Sequence, residues 1–479
     1  MAKSDAANVC AIIVLIQRPL TFGLATPRIK SDPRLRLPNS VNSDPEIPSW
    51  TPLTRLAFRF AFCYFTLYAF CCGNATVWEM IPRFGGTIEI WMAKPFWRTA
   101  QWLGPRLFHL QGISARLHAS GSGDRPLDWI ALGLMFSVSV IATLIWTALD
   151  RQRTEYRTLN RWFRFALRLA LAYAMLYYGL PKLLPQQMPP PSLAVLNEPV
   201  GNTSPMTLLW TLIGLNPVYE MICGAVEVCG GFLLIFRRTA LLGALLCALS
   251  MSNVVLYNFC FDVSVKQYAA HLLLVSLVLL APDIGPLCNF LLHRPVPLPP
   301  AEAVPATRRG RRIEALCIAV LLLLGVGSMI FRYGEIYAQE QANLRNPPAI
   351  TGQWHIDDAE LAVNGTSTPQ PYFAGDGLPI TDIFFEPTGR ANLRAADRVL
   401  WRARTRYDDA KHSLWIVWAG QGDALYDVHW TDSSHLVLSP AGGAAKNGYT
   451  LHLTRIPLPQ HYPLLDRGFH LVNEWPFER

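Results

Sequence analysis

The feature that most constrains this chain is a set of uninterrupted apolar runs. Trp129 to Leu149 and Thr239 to Phe261 contain no charged residue, and each is long enough to cross a bilayer core as a helix. Such runs leave few options, because in lipid every backbone N–H and C=O must be satisfied within the segment itself. Seven segments reach that length, at 56–78, 128–149, 162–181, 219–236, 239–259, 265–282 and 313–332. Arg168, Glu227 and His271 interrupt the third, fourth and sixth, so there the lengths and flanks carry the assignment. Composition agrees: 51% of the 479 residues are hydrophobic and 16% charged, against roughly 25% charged in a soluble domain.

The net charge of +8 points to no nucleic-acid partner, because the basic residues sit in short clusters between apolar runs and not on one aromatic-rich stripe. The clusters are Arg151, Arg153, Arg157 and Arg161; Arg237-Arg238; and Arg308, Arg309, Arg311 and Arg312. The alternate connections, Pro185 to Pro217 and Cys260 to Ser264, carry almost no Lys or Arg. This asymmetry predicts a multi-pass protein of the cell (inner) membrane with a cytoplasmic N-terminus and the C-terminal domain outside, periplasmic or extracellular. Between Glu79 and Pro126, the residues Trp91, Phe96, Trp97, Trp102 and Leu103 predict an interfacial amphipathic helix on the outer face.

All ten cysteines lie at or before Cys317 and none makes a metal-binding spacing, which argues against a structural metal site. A disulfide among Cys71, Cys72 and Cys260 stays open, whereas Cys63, Cys223, Cys229, Cys247 and Cys317 read as small packing residues.

The segments divide the chain into a disordered extension (1–50), two spans with the outer interfacial segment (51–160), a four-helix core (161–293), a Pro/Arg-rich inner linker (294–312), a seventh span with an outer stalk (313–347) and an outer domain (348–479). In the last of these, Trp401, Ala403, Thr405 and Tyr407 alternate with Arg402, Arg404 and Arg406, the period of a strand with one buried face. Further strands are predicted at Gln353–Asp357, Thr381–Glu386, Arg390–Arg394, Ser413–Trp418, Ala424–Trp430, Leu436–Ser439 and Thr450–Thr454. Short strands broken by Pro387-Thr388-Gly389, Gly420-Gln421-Gly422 and Ala441-Gly442-Gly443 fit an antiparallel barrel or sandwich. Gly352-Gln353-Trp354 resembles the G-x-W of lipocalin-like barrels, which implies an apolar ligand cavity; alternatively Trp354 plugs the core at one end. The terminal 467–475 stretch, dense in polar and aromatic residues, is expected to pack the outer domain onto the helices.

Ionisable groups at membrane depth are costly and mark candidate sites. Glu220 and Glu227, seven apart, share one helix face; Asn253, Tyr257, Asn258 and Asp262 follow on the next segment; Lys266, Gln267 and His271 on the one after; and Lys182 closes the third. With the orientation above, all fall in the outer half of the bundle. Glu227 and His271 are the catalytic candidates and the others candidate ligand-binding groups, able to hold a quinone head group, relay protons or bind a small polar substrate. The competing view is that Glu227 pairs with His271 or Lys266 and only locks helices together, and that Lys182 and Lys266 snorkel to the interface. A bis-histidine haem is not available, since His271 is the only histidine well inside a helix.

From Arg161 to Asp283 the chain resembles the DoxX family of four-helix membrane proteins. The residues that carry the resemblance are Tyr178-Gly179-Leu180-Pro181-Lys182, then Glu227-Val228-Cys229-Gly230-Gly231 followed by Arg237-Arg238, and Leu279-Leu280-Ala281-Pro282-Asp283. The resemblance implies an elaborated DoxX-type protein linked to quinone-coupled or oxidative-stress redox chemistry, with quinone as its implied cofactor and a redox subunit as its implied partner. A non-catalytic scaffold that binds a lipid or partner through its outer domain is the alternative.

Overall fold

The computed structural model describes residues 50–71, 78, 84–112, 124–296, 307–363, 366–373, 378–418, 422–441, 447–459 and 461–466. The expected N-terminal extension, the central part of the Pro-rich linker and the 467–475 stretch lie outside them.

Twelve helices precede the strands among the described residues: α1 (Pro52–Cys71), α2 (Gly85–Leu107), α3 (Pro126–Leu149), α4 (Arg157–Leu183), α5 (Leu193–Leu196), α6 (Pro205–Gly214), α7 (Pro217–Ile235), α8 (Ala240–Cys260), α9 (Lys266–Leu280), α10 (Ile284–Leu291), α11 (Arg308–Val320) and α12 (Gly327–Arg345). Their starts follow local chemistry. Pro opens α3, α6 and α7, where its missing N–H costs nothing. The Ser204 and Asn216 side chains accept backbone N–H groups of the first turns of α6 and α7. A turn of π-helix, Leu321–Val326, joins α11 to α12.

Among the described residues, five helices are long and apolar enough to cross a membrane: α3, α7, α8, the continuous α9–α10 (Lys266–Leu291) and the continuous α11–α12 (Arg308–Arg345). The other two expected spans also form helices, of 20 and 27 residues, but the arginines of α1 and α4 lower their apolarity. Arg59 shows how such a charge is accommodated: it donates to Tyr156 Oη (2.7 Å), Thr147 Oγ1 (3.0 Å) and the Asp150 carbonyl (2.7 Å). The segment predicted as interfacial is the helix α2, with Trp91 and Trp102 exposed and Phe96 and Trp97 packed beside the start of α3.

Among the described residues the sheet has nine antiparallel strands: β1 (Gly352–Val363), β2 (Thr366–Pro369), β3 (Ile380–Phe385), β4 (Arg390–Ala395), β5 (Leu400–Asp408), β6 (Ser413–Trp418), β7 (Gly422–Trp430), β8 (His435–Pro440) and β9 (Asn447–Ile456). All eight predicted strands are present, and β2 adds a short flap on β1. β1 pairs with β3 through Gly352–His355 and with β9 along Gln353–Val363, so eight strands close into an up-and-down barrel. A bulge between Ile356 and Asp358 bends β1 as it closes the ring.

Inside the barrel, Trp354, Phe385, Ile383, Leu393, Leu414, Ile416, Leu438 and Leu451 form one continuous core. The expected ligand cavity is thus occupied by side chains, and Trp354 is one of the plugs. Its indole donates to the Ile350 carbonyl at 2.7 Å, and the Arg455 guanidinium of β9 lies 4.6 Å from its ring centre. Cys71 and Cys260 are free thiols, against the open disulfide; Cys72 lies outside the described residues.

Candidate functional site

The site is built where the C-terminal turn of α4 meets the N-terminal half of α7, the most closely packed helix pair of the bundle. Close approach requires glycine here. A Cβ on Gly224 would lie 2.5 Å from the Leu183 nitrogen and 2.8 Å from the Gly179 carbonyl oxygen. Of the adjacent pair in the E-x-x-G-G motif, Gly231 faces Ala172 and Met175 of α4 while Gly230 faces Cys247 of α8, so one helix is gripped from two sides.

With the backbones this close, Glu220 and Glu227 on the same face of α7 both point into the interior, 0% and 2% exposed. The Lys182 ammonium donates to Glu227 Oε1, and this ion pair is buried on both sides. Glu227 is therefore paired with Lys182 and not with His271 or Lys266, and Lys182 is an interior residue, not a snorkelling anchor. Glu220 Oε1 accepts the backbone N–H groups of Gln187 (3.1 Å) and Met188 (2.8 Å). The second oxygens of both carboxylates are buried and have no hydrogen-bond partner among the described residues.

Beside Lys182 lies a cavity of about 200 Å³. Its walls are Met175 and Tyr178 of α4, Gln187 and Met188 of the following loop, Trp210 of α6, Met251, Tyr257 and Asn258 of α8, and Tyr268 and Leu272 of α9. Methionine and aromatic side chains recur around this surface, which makes it adaptable to a flat apolar body. The polar groups are the Lys182 ammonium, the Tyr178, Tyr257 and Tyr268 hydroxyls, the Gln187 and Asn258 amides, the Ser264 hydroxyl and the Trp210 indole N–H. Asn258 Oδ1 is buried without a hydrogen-bond partner among the described residues.

The remaining predicted residues are distributed elsewhere. His271 turns toward α1: its Nδ1 lies 2.6 Å from the Gln267 carbonyl and its Nε2 2.7 Å from Tyr64 Oη, with the Tyr68 ring stacked at 3.8 Å. Because a carbonyl only accepts, Nδ1 donates to it, and Nε2 shares the second hydrogen bond with the tyrosine hydroxyl. Lys266 and Asp262 pair with each other at 2.6 Å at the start of α9. Asp124 receives the backbone N–H groups of Lys266 and Gln267, and the Gln267 amide is placed against Trp129. Asn253 is exposed on the outer side of α8. The sequence reading missed Tyr64, Tyr68, Gln187 and Met188. Tyr64 and Tyr68 lie in the arginine-free second half of α1 and Gln187 and Met188 in a loop without charged residues, so no charge at membrane depth drew attention to them.

Apolar helices joined to a closed β-barrel define a multi-pass membrane protein with a β domain. Compared with known proteins, the chain is 33% identical over 125 residues, 24% of its own length and 73% of the relative's, to the uncharacterized protein YwoB of Bacillus subtilis (strain 168). It belongs to the YwoB family. No family model matches the chain, and no solved structure matches it.

Proposed function

We propose that this is a DoxX-type, redox-associated membrane protein that seats the ring of a quinone in the cavity beside Lys182. The observation that carries this reading is a methionine- and aromatic-walled cavity next to a buried, charge-paired lysine. An engineered apolar cavity of about 150 Å³ accepts a benzene ring, so about 200 Å³ suits one substituted ring. Lys182 and Tyr257 supply donors for ring oxygens, and Asn258 Oδ1, without a hydrogen-bond partner among the described residues, supplies an acceptor for a ring hydroxyl of the reduced form.

A bound quinone supplies two-electron, two-proton carrier chemistry, with electrons from a partner redox subunit. The chain's own residues hold and orient the ring. Lys182 offers N–H donors at the cavity wall, Glu227 fixes that ammonium in place, and the apolar walls exclude water. The barrel lies at the end of the bundle opposite the arginine-rich connections, where Arg237 meets Glu314; by the positive-inside rule we place the barrel outside. The competing scaffold reading needs an apolar cup in the barrel, and side chains fill that space.

The test is to purify the full chain in mild detergent and assay co-extracted quinone by absorbance and mass spectrometry. Lys182→Met combined with Glu227→Gln, which leaves no orphan charge, is expected to lower retained quinone by about tenfold or more with the fold intact. A wild-type protein free of quinone, together with a double variant that complements a deletion strain normally, would defeat the proposal.

A further inference from the structure

The barrel has a filled interior and yet grips the bundle: Arg390 of β4 pairs with Glu340 of α12 at 2.9 Å, and a larger set of contacts holds the connection between α4 and α6. This connection has two anchored ends. At the first, Gln187 and Met188 form part of the cavity wall, and their N–H groups are held by Glu220. At the second, the barrel holds the chain. Glu386, at the end of β3, accepts the Leu193 N–H at 3.1 Å and the Asn392 amide at 3.1 Å. Arg398 donates to Glu198 at 2.7 Å, Arg394 stands 3.8 Å from the same carboxylate, and Asn197 donates to Tyr462 Oη at 3.0 Å. The Glu198 side chain is 5% exposed, so this is not a loose surface pair.

Between the two anchors the sequence reads Pro189-Pro190-Pro191. Three consecutive prolines have fixed φ and act as a stiff spacer at about 3.1 Å per residue. The rod is also clamped from the side. A Cβ on Gly214, at the end of α6, would meet the Pro189 and Met188 carbonyl oxygens at 2.4 and 2.6 Å, so only glycine lets α6 close on it. A stiff, clamped connector transmits a displacement of Leu193 to Met188, whereas a flexible one would absorb it.

We infer that the barrel is a brace for the roof of the membrane cavity, with Glu198, Glu386, Arg394 and Arg398 as positioning residues that act on Gln187 and Met188 through the proline rod. The inference rests on the cavity being the site, but its test does not depend on which ligand the cavity takes. The cavity is then closed only while the barrel is docked, and a partner that moves the barrel opens it.

The experiment is hydrogen–deuterium exchange with mass spectrometry on the full chain in nanodiscs. In Glu198→Ala/Glu386→Ala, peptides covering 185–190 are expected to exchange about tenfold faster, with α7 and strands β5–β9 unchanged. Glu198→Gln/Glu386→Gln, which keeps acceptor oxygens, should fall between this and the wild type. Opening confined to 193–198, with 185–190 still protected, overturns the inference. A second variant that leaves the barrel untouched replaces Pro189, Pro190 and Pro191 with glycine. It should release 185–188 while 193–198 stays protected, and unchanged protection at 185–188 overturns the inference even if the first variant misfolds. Absence of quinone sinks the preceding reading and leaves these exchange results standing.

Discussion

Lys182 and Glu227 are 45 residues apart, and each makes the other tolerable inside the bundle. Removing one partner of a buried pair strands a charge, while removing both leaves an apolar contact. Lys182→Met alone is therefore expected to destabilise the protein by about 3–5 kcal/mol, and adding Glu227→Gln to restore most of the loss, read as thermal unfolding in detergent. Equal midpoints for the single and double variants would show that the two groups do not interact as charges. Glu220 plays a different part: its carboxylate faces two backbone donors, so it holds a loop and not a cation. His271 is likewise satisfied by Tyr64 and Gln267. Residue type and spacing marked all of these as unusual at membrane depth, but not which neighbour each would meet.

At the scale of elements, α7 is the organising helix. Its acidic residues share one face, and its glycines let α4 and α8 approach that face and its flank. Gly224→Ala places a methyl 2.5 Å from backbone with no flexible side chain to yield, and is expected to cost about 1–3 kcal/mol. Gly133→Ala on α3, where a Cβ meets nothing within 4 Å, is the control. Similar losses for both in a thermal-shift assay would mean that α4 and α7 are not locked at Gly224. The E-x-x-G-G pattern was legible as a close-packing signal, because two small residues beside a carboxylate have few other uses in a span. The strands were legible for a comparable reason: in β5 and β9 the alternation of apolar and polar residues reports directly which face is buried. β3 is the exception, with Ile383, Phe384 and Phe385 all buried; the Arg394 guanidinium of β4 lies 5.1 Å from the Phe384 ring centre and helps cover it.

At the scale of the whole molecule, the junction between barrel and bundle is electrostatic and should respond to acid. Burial works against ionisation of Glu198, but hydrogen bonds from Arg398 and Asn202 and the nearby arginines hold its carboxyl below the ordinary 4.5. Burial likewise opposes ionisation of Asp382, yet Thr381 and Arg394 hold it below 3.8. A depressed carboxyl stabilises the junction fully above its ordinary value and loses that contribution as pH falls through the folded one. Glu386 has the opposite sign: burial pushes its carboxyl up, so its penalty is relieved as pH falls from neutral toward 4.5. Exchange protection at 193–198 is expected to hold or rise slightly from pH 7 toward 5 and to collapse below about 4. Glu198→Ala should remove most of the acid collapse. A steady loss of protection beginning near pH 7 would contradict this assignment of signs.

The sequence alone determined the chain's parts: apolar helices, arginine-rich connections alternating with arginine-poor ones, and eight short strands, most of them with a period of two. Each of these is recorded in residues close together along the chain, where helix and strand periodicity act. Tertiary structure decided the rest. It closed the strands into a filled barrel by pairing β1 with β9, gave Glu227 to Lys182 and His271 to Tyr64, and joined barrel to cavity through three prolines. These outcomes depend on how far each helix is rotated and where it crosses its neighbour, which side-chain volumes and glycine contacts distributed over the whole bundle settle together.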